Sequence, residues 1–205
     1  MDRMTQDRLG IFGGTFDPPH LGHMILAAEA ADQLNLDHVL WMLSPTPPHK
    51  RQNIISDFEE RAELVSACIE GESRFELSTL ENERPGPHYT ADTLKILKER
   101  FPDSKIVFLI GGDSLQYLPT WHEPQLVMER IDELGVMQRP GEVFDWKELK
   151  KILPDIDSKL RMIDAPLLEI SSTEIRERVK SGHHYKYYLR DSVYRLILQK
   201  KYYLN

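Results

Sequence analysis

Short apolar runs and stretches of helical periodicity take turns along this chain. Leu9 to Phe12, Val39 to Leu43 and Ile106 to Ile110 read as buried strands, the last two as unbroken apolar runs of the kind covered on both faces. Phe75 to Leu80 and Leu134 to Met137 read as further strands, and Leu160 to Ile170 contains one broken by Pro166. Between them apolar residues recur at helical spacing: Leu21, Met24, Ile25 and Ala28; Phe58, Ala62, Val65 and Ile69, closed by Gly71; Leu94, Leu97 and Phe101; Leu126, Val127 and Ile131. Phe144 to Leu153 carries a weaker helical pattern, and Asp191 to Tyr203 predicts a final amphipathic helix with Val193, Leu196 and Ile197 inward. The starts are marked too. Ser56 with Glu59, and Ser171 with Glu174, have capping-box spacing, Thr90 is placed as an N-cap, and Pro124 suits a first helical turn. Alternating strands and helices predict an α/β fold, a doubly wound parallel sheet with helices on both faces. Ligands in such sheets sit beyond the carboxyl ends of the strands.

Composition narrows the classes. The 205 residues, 40% hydrophobic, suit a single domain spanning 1–205, with a helical C-terminal part from about 171. No repeat, low-complexity segment or composition shift argues for a second one. The net charge of −7 provides no basic footprint for nucleic acid, and no apolar run approaches a membrane span. The amino-terminal segment has charges but no apolar core of a signal peptide, and Cys68, the sole cysteine, allows no intrachain disulfide. All of this fits the cytoplasm. Homo-oligomerisation is left open.

The chemistry gathers after the first strand, in Gly13-Gly14-Thr15-Phe16-Asp17-Pro18-Pro19-His20-Leu21-Gly22-His23. Glycine lets a ligand approach the backbone, and the prolines stiffen the turn. His20 and His23 stand three apart at a helix entrance, so they share a face, and a helix N-terminus favours an anion. Two imidazoles and a helix start facing one point can hold a phosphate on which charge develops.

Other strand ends add candidates. Ser44-Pro45-Thr46-Pro47-Pro48-His49-Lys50-Arg51 is a stiff, cation-tipped loop, either solvated or bringing Lys50 to a substrate phosphate. Gly111-Gly112-Asp113-Ser114 follows the Ile106 strand, and Asp113 suits either a helix cap or a ribose hydroxyl acceptor. Trp121 and His122 precede the helix at Pro124, and by residue type alone Trp121 is a packing residue. Arg139 follows the Leu134 strand. Ser171, Ser172, Thr173 and Arg176 form a second hydroxyl-rich helix start, with a guanidinium able to grip two phosphate oxygens. His183 and His184 are adjacent and read as solvated, and the motifs cluster too few carboxylates for a protein-built metal site.

His20-Leu21-Gly22-His23 resembles the H-x-G-H signature of the nucleotidyltransferase superfamily, and the longer string from Gly13 is similar to the nicotinate mononucleotide adenylyltransferases. Ile170 to Arg176 resembles the I-S-S-T-x-x-R motif of the same superfamily. The resemblance implies a Rossmann-like fold and adenylyl transfer from ATP to nicotinate mononucleotide, with Mg²⁺ arriving on the ATP. It implies His20, His23 and Arg176 as catalytic residues. Gly13, Gly14, Thr15, Phe16, Gly111, Asp113, Arg139, Ser171, Ser172 and Thr173 are the implied ATP contacts. Ser44, Lys50, Thr90, Trp121 and His122 are the implied contacts to the mononucleotide, with Trp121 stacking on the pyridine ring. Another H-x-G-H transferase, for nicotinamide mononucleotide or pantetheine phosphate, and a non-catalytic nucleotide-binding module remain alternatives. A nicotinamide-dependent oxidoreductase is disfavoured because no G-x-G-x-x-G is present.

Overall fold

Side chains on the apolar runs divide between two cores in strict alternation, and this division builds the molecule. The computed structural model describes residues 7–45, 55–137, 144–166 and 168–204. Its strands β1 (Arg8–Gly14), β2 (His38–Leu43), β3 (Phe75–Ser78), β4 (Lys105–Gly111), β5 (Glu133–Met137) and β6 (Leu160–Ile163) form one sheet in the order β3-β2-β1-β4-β5-β6. Each neighbouring pair is parallel. Phe12, Val39, Trp41, Leu43, Val107 and Leu109 point into one core. Their neighbours Ile11, Leu40, Met42, Ile106, Phe108 and Ile110 point into the other, as the two-residue period of a strand requires. On the first face pack α1 (Leu21–Gln33), α2 (Phe58–Ile69), α8 (Ser172–Lys180) and α9 (Asp191–Lys200). On the second pack α3 (Thr90–Arg100), α4 (Gly112–Tyr117), α5 (Pro124–Glu129), α6 (Trp146–Ile152) and α7 (Ile156–Lys159). The sheet is thus doubly wound. Its strand order reverses between β1 and β4, which opens a crevice at their carboxyl ends.

Several boundaries differ from the sequence reading, each for a local reason. Gly13 and Gly14 continue β1 instead of forming a turn, because both pair with β2. The turn falls on 15–20, where Phe16 takes a φ of 46°. The deepest residues of α1 are Leu26, Ala27, Ala30 and Ala31, one step round from the predicted stripe, because small alanines let the helix approach the sheet. Thr90 is the first helical residue of α3 and not its cap. Tyr89 is extended and caps the helix, and its carbonyl accepts from the Thr93 N–H at 3.1 Å. The cap of α2 is Asp57, while the Ser56 N–H donates to Asp17 Oδ2 at 3.2 Å. A 3₁₀ turn, Leu80–Glu83, occupies the start of the predicted Glu81–His88 loop. The helix α4 follows β4 directly, with Gly111 and not Asp113 as its cap. The strand within Leu160 to Ile170 ends at Ile163, and α9 stops at Lys200 rather than Tyr203.

Cys68, 0% exposed on the inner face of α2, is the core residue its place in the pattern predicts. Burial pushes its thiol up to about 12. At pH 8 only about one thiol in 10⁴ would then be thiolate, the reactive form. A disulfide exchange reagent should leave the native protein unlabelled at pH 8 and label one site after denaturation. Rapid native labelling would mean that α2 opens locally.

Candidate active site

Two cavities open at the carboxyl ends of β1 and β4. The smaller, about 220 Å³, lies over Ile11, Met42, Phe108 and Ile110, with Ser44, Glu81, His88, Tyr89, Thr90, Thr93, Trp121 and His122 around it. The larger, about 490 Å³, is bounded by Phe16, Asp17, His20, His23, Asp113 and the start of α8. Phe12, Gly13, Gly14, Thr15, Gly111 and Ser114 line both. At Gly13 and Gly111 a Cβ would meet nothing within 4 Å, so these glycines keep the shared wall low. At Gly14 a Cβ would come within 2.6 Å of the Phe16 ring, which lies across the backbone there.

The histidines lie at the entrance of α1, where the sequence places them. The His20 backbone N–H donates to His23 Nδ1 at 3.1 Å. A neutral imidazole accepting at Nδ1 carries its proton on Nε2, so the hydrogen bond fixes the tautomer. The two rings lie 3.7 Å apart at 31°, and Phe16 meets His23 edge-on at 5.1 Å. Gly22 makes room for this arrangement, since a Cβ there would lie 3.1 Å from His20 Nδ1.

The second motif is seated on the loop of the first. The Ser172 hydroxyl donates to the Pro18 carbonyl at 2.8 Å, and Arg176 Nη1 donates to the Asp17 carbonyl at 2.7 Å, bridging 154 and 159 residues of sequence. Ser171 caps α8 by accepting from the Glu174 N–H at 3.1 Å, while the Glu174 carboxylate turns to Arg178, so only half of the expected capping box forms. Arg176 Nη2 also reaches Thr173 Oγ1 at 3.4 Å. The Ser171 and Ser172 hydroxyls are thus engaged within the protein. What α8 offers a ligand is chiefly the Arg176 guanidinium and the first backbone N–H groups of the helix.

The family model described as Cytidylyltransferase-like matches residues 11–178, which takes in both motifs. The nicotinate-nucleotide adenylyltransferase of Bacillus subtilis is 39% identical over 186 residues, 91% of this chain and 93% of that protein. The chain belongs to the cytidylyltransferase-like family, among its nicotinate-nucleotide adenylyltransferases. Two solved structures of a Plasmodium falciparum nicotinic acid mononucleotide adenylyltransferase share the fold. The one complexed with NaAD has a TM-score of 0.77 at 22% identity, covering 96% of this chain and 97% of that one. The one complexed with APC has a TM-score of 0.74 at 23% identity, over the same shares.

The family's sequence motifs do not reveal everything that shapes this site. Asp17, 3% exposed, accepts from the Tyr203 hydroxyl at 3.0 Å, tying the segment after α9 to the first loop. Burial, reinforced by the Asp17 charge, raises the Tyr203 phenol, which keeps it a donor. Arg61, buried in α2, gathers carbonyls of both loops. In the smaller cavity, Thr93 donates to Glu81 Oε1 at 2.7 Å, and Arg84 bonds to Thr93 and to the Tyr89 carbonyl. This network fixes the start of α3. His122 stacks on Tyr89 at 4.0 Å, and Trp121 stands edge-on to Phe108 at 6.1 Å. The Trp121 backbone N–H donates to the Leu118 carbonyl at 3.1 Å, and Glu123, with φ 50°, separates His122 from α5. Of the two helix starts read here from the sequence, the one at Thr90 is the true one: Thr90 is the first residue of α3 and lines this cavity. Lys50 and Arg139 lie outside the described residues. Among those described, no group of three or more His, Cys, Asp or Glu could hold a metal, and no helix is long and apolar enough to cross a membrane.

Proposed function

We propose that this chain transfers the adenylyl group of ATP to nicotinate mononucleotide, giving nicotinate adenine dinucleotide and pyrophosphate, a cytoplasmic step of NAD biosynthesis. The chain works as one nucleotidyltransferase unit, its helical part from about 171 contributing to the ATP side. The observation that carries the reading is the wall common to the two cavities. Two nucleotides lying one in each would meet end to end over Gly13 and Gly111, beside the histidines. The relatives' name supports the choice of substrates.

The reaction needs alignment and charge stabilisation more than a protein nucleophile. An oxygen of the mononucleotide 5′-phosphate forms a bond to the α-phosphorus of ATP. The bond from that phosphorus to the α,β-bridging oxygen breaks, and its electron pair leaves with pyrophosphate. His20 and His23 face the α-phosphate and the bridging oxygen, with Nε2–H of His23 as a donor to the growing charge. Gly13, Gly14, Thr15 and Phe16 supply backbone contacts. Arg176 and the backbone N–H groups at the α8 start, at Ser171, Ser172 and Thr173, take the β- and γ-phosphates. Asp113 suits the ribose hydroxyls. The apolar lip of Met137, Pro166, Leu168 and Ile170 suits the adenine and accounts for the 40% exposure of Leu168. Lys50 and Arg139 keep their sequence-based roles on the two substrates. Mg²⁺ fits as a companion of the triphosphate, whose charge it would neutralise, because the described donor set offers no protein-built cage.

In the smaller cavity Trp121 would stack on the pyridine, with Ser44 and His122 beside it. The first N–H groups of α3, at Thr90, would take the nicotinate carboxylate. Those donors suit a carboxylate and leave an amide NH₂ facing donors, at about 1–3 kcal/mol of unrecovered desolvation. The expected kcat/KM preference for nicotinate over nicotinamide mononucleotide is about tenfold to a hundredfold. Trp121→Ala should weaken both and leave their ratio nearly intact. The test is pyrophosphate release from ATP with nicotinate mononucleotide, nicotinamide mononucleotide or phosphopantetheine. Preferred turnover of phosphopantetheine would overturn the proposal, and equal use of the two pyridine nucleotides would refute the α3 account of selectivity.

A further inference from the structure

Arg61 lies in the first turns of α2, 1% exposed, and its partners are carbonyl oxygens. Nε donates to Ser56 at 2.9 Å, Nη1 to Thr15 at 2.9 Å and Ser44 at 2.8 Å, and Nη2 to Pro45 at 2.9 Å. The guanidinium also lies over the Phe58 ring, 5.6 Å from its centre. Burying a cation is expensive even with the buried Asp17 carboxylate near enough to offset part of the cost, and an apolar residue of similar size fills a core at less cost. The charge is better explained by what it grips. Thr15 follows the end of β1, and Ser44 and Pro45 follow the end of β2. The Ser44 N–H donates to the Gly14 carbonyl at 3.0 Å, so the two segments are also joined to each other. Thr15 and Ser44 both line the smaller cavity, and Thr15 belongs to the wall shared with the larger one. Because a peptide unit is planar, holding the carbonyl of Thr15 or Ser44 fixes the orientation of the whole peptide.

We infer that Arg61 is a positioning residue for the pyridine mononucleotide: it orients the Thr15 and Ser44–Pro45 backbone so that the mononucleotide's phosphate arrives in line with ATP. A lysine at 61 keeps the charge and loses the fork. It can satisfy fewer of the four carbonyls and leaves the two loops free to turn independently.

The inference rests on the proposed reaction, so wild-type protein is measured first, by pyrophosphate release from ATP and nicotinate mononucleotide. Arg61→Lys, Arg61→Gln and Leu64→Ala are then compared. Leu64 is fully buried one turn further along α2 and serves as a control for destabilisation alone. For the two Arg61 variants, KM for the mononucleotide should rise about tenfold or more and kcat should fall, with a smaller rise in KM for ATP because Thr15 borders the larger cavity as well. Leu64→Ala should lower the melting temperature and leave both KM values unchanged. Arg61 variants with both KM values at wild-type level overturn the inference, whatever their kcat. So does failure of both to fold when Leu64→Ala folds, which would assign Arg61 to the fold alone. A wild-type protein releasing no pyrophosphate removes the reaction and the inference with it.

Discussion

His23→Ala is expected to lower kcat by a factor of about 10² to 10³, the usual cost of losing one preorganised donor to a developing charge. The reason lies in the tautomer. With Nδ1 accepting from the His20 N–H at 3.1 Å, the proton is held on Nε2. Alanine removes that donor and also leaves the His20 N–H without its side-chain acceptor. The second effect costs about 1 kcal/mol, which lowers the melting temperature of a chain this size by roughly 2–4 °C. Activity and stability thus separate widely. Turnover measured at saturating ATP and mononucleotide, beside a thermal melt, decides the matter: near-wild-type kcat in a folded variant removes His23 from the chemistry.

Arg176→Lys is expected to weaken ATP use by about tenfold to a hundredfold in kcat/KM, although the charge is conserved. Nη1 is anchored on the Asp17 carbonyl at 2.7 Å, which aims the plane of the guanidinium at the larger cavity. Lysine offers a point charge, which cannot keep that anchor and bridge two phosphate oxygens together. The loss should appear chiefly in KM for ATP, with KM for the mononucleotide little changed. If both ATP parameters stay at wild-type values, Arg176 only joins the two motifs.

The sheet was legible because parallel strands covered on both faces must be apolar throughout, and Val39–Leu43 and Ile106–Ile110 are. The two motifs were legible because His20, His23 and the Ser171–Arg176 string follow each other at fixed local spacing. Contacts made across the chain were not. Asp17 stands before two prolines and reads as a turn residue, while its partner Tyr203 is 186 positions away. Arg61 follows Glu59 and Glu60 in a charged run, and nothing in that run names the carbonyls it reaches. The available signal was its register, three after Phe58 and four before Val65, which puts a cation on the apolar stripe. The start of α3 shows the same limit: Thr90 has the right side chain for a cap, yet the network of Glu81, Thr93 and Arg84 fixes the boundary one residue earlier, at Tyr89.

The glycine wall belongs to both cavities, so on the proposed reaction the joined dinucleotide would fill the two at once. Each half then tethers the other, and a half that lets go rebinds at an effective concentration in the millimolar range before the second half can leave. The product is then expected to be held more tightly than either of its halves, with its departure, not bond making, as the expected limit on flux. An unreactive molecule long enough to cross Gly13 and Gly111 would gain by the same tethering and compete with ATP and the mononucleotide together, whereas a compound confined to one cavity would meet only one of them.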